Sequence, residues 1–140
     1  MDIRDNPFRL GFGLMRLPKN EDGSIDIPQV MQMADYFLER GVGHVIIKLG
    51  DQGSFFKSAK ERFYTDPYVV EPVDTTGCGD NFTAGFIHAY LKGLPMKECV
   101  QFASATGALN SLGLGANSYV RSEEMVLDFM RKTPVRKILR

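Results

Sequence analysis

The chain has 140 residues, 44% of them hydrophobic, which is enough for one packed domain of ordinary size. Its 17 Lys and Arg balance 17 Asp and Glu, and a net charge of zero argues against nucleic acid or an anionic membrane as partner. No run approaches the roughly 18 apolar residues of a membrane-spanning helix, the acid-bearing start does not read as a signal peptide, and Cys78 and Cys99 have no metal-ligand spacing, so a reduced, cytoplasmic protein is expected.

Residues 7–17, PFRLGFGLMRL, suit a short strand or hairpin, and 18–25, PKNEDGSI, a turn-rich loop. Asp26 then caps a helix with Pro28 in its first turn and Val30, Met33, Ala34, Phe37 and Leu38 at helical spacing; Gly41 stops it. The β-branched run HVIIKL, 44–49, predicts a buried strand of parallel-sheet type. GDQG, 50–53, is a turn, and SFFK, 54–57, and RFYT, 62–65, are two short strands. After an extended stretch with Pro67 and Pro72 come DTTGCGD, 74–80, a helix to Gly93, and a second helix from Pro95 to about Leu112. GLGAN, 113–117, is a glycine loop. Ser122 caps a last helix, EEMVLDFMRK, which Pro134 ends. The basic residues Arg131, Lys132, Arg136, Lys137 and Arg140 read as a solvated tail.

The stretch from Asp74 to Asp80 carries chemistry. Phosphoryl transfer needs donors preorganised around phosphate oxygens and a base for the attacking hydroxyl. Gly77 and Gly79 permit tight backbone geometry, and the following helix adds its positive end. Asp80, at that helix start, is placed to accept a proton from a hydroxyl; the plainer alternative is an Asp N-cap after a glycine turn.

The whole run DTTGCGDNFTAGF resembles the second signature of the ribokinase-like (PfkB) carbohydrate kinases. VIIKLGDQGSFF, 45–56, resembles their strand–turn–strand bordering the nucleotide, and FASATGALNSLGLGAN, 102–117, the helix and loop closing over adenine. The resemblance implies Asp80 as catalytic base, with Gly77, Cys78 and Gly79 as the anion hole. It implies Lys48, Gly50, Gly53, Gly113, Gly115 and Asn117 on the nucleotide side. ATP with Mg²⁺ is the implied cofactor, and a small sugar the substrate. A monovalent cation, K⁺, is implied beside the anion hole, on Asp74 and the Thr76 carbonyl; a turn-forming Asx residue is the equal alternative for Asp74. Cys78 reads as a packing residue rather than a nucleophile.

The implied fold is α/β, a partial ribokinase-like sheet with a parallel core strand and a hairpin, packed with about four helices. Residues 8–41 resemble instead the start of an aldo/keto reductase, without any of that family's catalytic residues. The organisation expected is therefore a reductase-like segment over 1–40, the C-terminal part of a kinase domain over 41–133 and a basic tail over 134–140. Kinase members carry their lid and sugar contacts upstream, and these are not recognisable here. An ATP-dependent carbohydrate kinase by ancestry is expected. The alternatives are a non-catalytic nucleotide- or partner-binding fragment and a reductase fragment. With the upstream strands missing, strand 44–49 would expose an apolar edge, so a homo-oligomer or a companion chain is expected.

Overall fold

The computed structural model describes residues 16–140. The hairpin expected over 7–17 lies, apart from its last two residues, outside them. Lys19 and Ile25 pair across the turn-rich loop as an antiparallel bridge, and Asp22 folds back onto the Ser24 backbone N–H at 2.9 Å. Helix α1 follows, Ile27–Leu38. The Asp26 carboxylate accepts the Gln29 N–H at 3.0 Å, satisfying one of the donors that every helix start leaves over, and Pro28 sits where no N–H is needed.

Three strands follow: β1, His44–Lys48; β2, Ser54–Ser58; and β3, Arg62–Thr65. They form one sheet in the order β1-β2-β3, antiparallel throughout. The parallel pairing expected of β1 is not present among the described residues. The pairing with β2 is antiparallel because a single 3-10 turn, Gly50–Gln52, returns the chain, and only an antiparallel neighbour can be reached so quickly. Gly53, at φ 88°, closes the turn, and a Cβ there would lie 2.0 Å from the Thr65 carbonyl oxygen. No other residue fits.

Alternation along β1 decides which layer each side chain joins. Val45 and Ile47 face α1 and bury with Val30, Met33, Ala34, Leu49 and Phe55. On the opposite face His44 lies against Phe56 and Tyr90, and Ile46 and Lys48 border a hollow of about 200 Å³ with Phe82, Thr83 and Phe86. These last residues belong to α2, Cys78–Leu91, so the sheet stands between α1 and α2. Helices α3, Met96–Asn110, and α4, Glu123–Lys132, complete the second core. There Ala89, Cys99, Phe102, Ala105, Leu109, Val126 and Phe129 pack with Tyr68. Ser122 caps α4 by accepting the Met125 N–H at 3.2 Å. Among the described residues no helix is long and apolar enough to cross a membrane.

The segment after α4 differs from the solvated tail expected. Val135 bridges Tyr68, and the Arg140 guanidinium donates to Asp66 at 2.9 Å and to the Gln52 carbonyl at 2.7 Å while lying over the Tyr64 ring. Arg140 thus has fixed acceptors, whereas Arg131, Lys132 and Lys137 remain largely exposed, as a solvated tail would.

Candidate functional site

The loop before α2 is built by backbone chemistry. Asp74 Oδ1 accepts the Thr76 N–H at 2.9 Å, an Asx turn. Its Oδ2 accepts the Gly115 N–H at 3.0 Å, tying this loop to the glycine loop after α3. These bonds, those from Thr76 foremost, hold the Asp74 carboxyl below its usual range. Gly77 takes the left-handed conformation, φ 73°, and is the residue that caps α2. Asp80 is therefore not the N-cap. It is the third residue of the helix, with an exposed side chain.

Two asparagines that the motif did not single out fasten the two loops. Asn81 Nδ2 donates to the Gly77 carbonyl at 2.9 Å and to the Ala116 carbonyl at 2.7 Å. Asn110, fully buried at the end of α3, donates to Ala116 at 3.1 Å and to the Thr76 carbonyl at 3.3 Å. The sequence signal available was a polar residue on the buried side of an otherwise apolar helix end, a position costly to fill unless it bonds.

A cleft of about 550 Å³ opens between β1 and the start of α2. One side is polar: Lys48, Gly50, Asp51, Thr75 and Gly79. Another is apolar: Tyr68, Val69, Val70, Pro72, Phe82 and Ala108. Lys48 Nζ reaches across to donate to the Gly79 carbonyl at 3.2 Å, so the end of β1 and the first turn of α2 meet here. First-turn N–H groups of a helix have no intrahelical partner and, with the helix dipole, favour an anion. The Cys78 N–H is the exception, turned to the Thr75 carbonyl at 3.2 Å. Such a cleft offers a polyanion a lysine and free amides at one end and a flat ring an apolar wall at the other.

The expected residues divide accordingly. Lys48, Gly50, Gly53, Cys78 and Gly79 line the cleft; Gly77, Asp80, Gly113, Gly115 and Asn117 are not among its walls. Gly113 packs under Tyr119 and Gly115 serves Asp74. For the implied cation, both Asp74 oxygens hold backbone N–H groups and the Thr76 carbonyl takes the Asn110 amide. The Asx turn is formed, and each of these oxygens keeps a further lone pair.

The pfkB family carbohydrate kinase profile matches residues 16–122. The chain is 38% identical over 99 residues to 2-dehydro-3-deoxygluconokinase of Bacillus subtilis, covering 70% of this chain and 31% of that protein. It resembles the solved putative ribokinase II of E. coli in complex with ATP and Mg²⁺ (TM-score 0.70, 34% identity, 73% of this chain and 33% of that one). It also resembles Arabidopsis thaliana ribokinase complexed with ribose and ATP (TM-score 0.70, 32% identity, 75% and 34%).

The chain belongs to the pfkB family of carbohydrate kinases. It spans about a third of the length of the relatives it matches. The match runs through α1 and so includes residues 16–40, where a reductase-like segment was expected.

Proposed function

We propose that this chain forms the nucleotide side of an ATP-dependent carbohydrate kinase, transferring the terminal phosphate of ATP to a sugar hydroxyl. One observation carries the reading: the 550 Å³ cleft in which Lys48 and the first turn of α2 converge opposite an apolar wall. Lys48 and the Gly79 and Asp80 N–H groups hold phosphate oxygens where charge develops. Asp80, unpaired among the described residues, takes the proton of the attacking hydroxyl. Magnesium supplies charge neutralisation on the phosphates. The ion is read as arriving on the nucleotide, since Mg²⁺ is commonly held by substrate phosphates with few protein ligands. The two free cysteines suit a reducing, cytoplasmic setting.

The second reading, nucleotide binding without transfer, is favoured by Asp80 lying outside the cleft walls. A coupled assay against a panel of sugars decides between them. Transfer that disappears in Asp80→Asn while Mg·ATP binding persists supports the kinase; no transfer to any sugar, with binding intact, supports the second reading. A reductase reading rests on residues 8–41 alone and would need NADPH binding.

We also read β1 as a paired edge in the working protein. It ends the sheet among the described residues, and α2 exposes Ile87, Tyr90 and Leu91 nearby. A second copy or a companion chain would cover this face. A monodisperse monomer on size-exclusion chromatography contradicts it.

A further inference from the structure

The charged residue lining the cleft that no motif accounts for is Arg136. It lies beyond the family match, which ends at residue 122. Its place is fixed from both ends. The Arg136 N–H donates to the Pro67 carbonyl at 2.8 Å, and Val69 N–H donates to Pro134 at 2.9 Å, so residues 134–136 run antiparallel to the apolar wall at Tyr68 and Val69. Its guanidinium donates to the Asp51 carbonyl at 2.5 Å and stands 3.8 Å from the Asp51 carboxylate. The side chain remains half exposed, so one of its surfaces is free for a ligand.

Four residues further on, Arg140 closes the segment down. Its side chain is only 16% exposed, and it bonds Asp66, just after β3, and the carbonyl of Gln52, in the turn after β1. Lys48 and the α2 amides already serve an anion at the other end of the cleft. A planar guanidinium held at Asp51, in a cleft whose walls include Tyr68, Val69 and Val70, instead suits the flat face of a base.

Resting on the kinase reading above, we propose that Arg136 is a nucleotide-binding residue, stacking on the base end of the ligand, and that Arg140 with Asp66 is the clasp that positions it. The carboxyl-terminal segment is then a wall of the nucleotide site supplied by residues outside the family match.

Calorimetric titration of Mg·ATP and of adenosine into the wild-type chain, Arg136→Ala, Arg136→Lys and Leu139→Ala tests this. Leu139 is wholly exposed and serves as control. Stacking predicts that Arg136→Ala weakens both ligands by about tenfold, that Arg136→Lys fares little better because the plane is lost, and that Leu139→Ala binds as wild type. Arg140→Ala should reproduce the loss in part. Unchanged binding in Arg136→Ala overturns the proposal. So does a loss confined to ATP and restored by Arg136→Lys, which would mark a phosphate contact. Arg136→Lys keeps the charge and backbone, and so decides the matter even if Arg136→Ala proves unstable. A wild-type chain that binds neither ligand removes the kinase reading itself.

Discussion

Gly77 is pressed against the Ala116 carbonyl so closely that a Cβ on Gly77 would lie 2.1 Å from that oxygen. The contact is backbone on backbone. Neither partner has a flexible end that could yield, and Asn81 and Asn110 both hold the same oxygen in place. The loop that introduces α2 and the loop that follows α3 therefore have one relative position.

Gly77→Ala combines that collision with a left-handed backbone, φ 73°. It should cost about 2 kcal/mol or more in a urea melt, from backbone strain alone, and should weaken Mg·ATP binding in the fraction that folds. A variant as stable as wild type would show that the two loops separate freely.

Gly85→Ala tests the packing of α2 on α3. A Cβ at Gly85 would lie 2.5 Å from Thr106 Oγ1 and 3.2 Å from the Ala103 Cα, and Thr106 is itself bonded to the Phe102 carbonyl. The helices must part, and the loss should be about 1–3 kcal/mol, read as a lowered melting temperature.

Lys48→Met separates binding from folding. Lys48 is exposed and donates to one carbonyl, so its removal should change the melting temperature little. Loss of a charged donor to phosphate should weaken Mg·ATP about tenfold while leaving adenosine nearly unaffected. Equal losses for both ligands would place the phosphates elsewhere.

The Asp66 clasp should respond to acid. Burial pushes the Asp66 carboxyl up, but the Arg140 bond, the Ile138 N–H and the charges of Arg140 and Lys137 outweigh it and leave it below its ordinary 3.8. A carboxyl depressed in the folded state stabilises it fully above that ordinary value and loses the contribution as pH falls through the lower folded value. The protection factor of the Ile138 amide, with the intrinsic pH dependence of exchange divided out, should therefore fall at about pH 4 and below. In Asp66→Asn it should already be low at pH 7. A protection factor at Ile138 that stays flat down to pH 3 in the wild type would contradict the assignment.

Local signals in the sequence carried much of this architecture. Asp26 and Ser122 are N-caps because a short acceptor before an apolar-periodic run has little else to do. HVIIK and the GDQG turn were legible from β-branching and glycine. The DTTGCGD run located the loop but not the start of α2, since Gly77 caps by backbone conformation and offers no side chain to notice. What was not legible depends on partners distant in sequence. β1 pairs antiparallel because of where β2 returns, and Arg140 is fixed by Asp66, 74 residues earlier. Asn110 reads locally as a helix end, and only the fold shows that it carries two loop carbonyls. Periodicity reports which face of an element is apolar and says nothing of which loop will lie beneath it.

The most direct test is calorimetric titration of the purified chain with Mg·ATP, with NADPH as the comparison ligand. The cleft between Lys48 and Gly79 predicts saturable binding of Mg·ATP, no binding of NADPH, and a marked loss in Gly79→Leu, since even a Cβ at Gly79 would lie 3.0 Å from Lys48 Nζ. A folded chain that takes up no Mg·ATP would contradict the account.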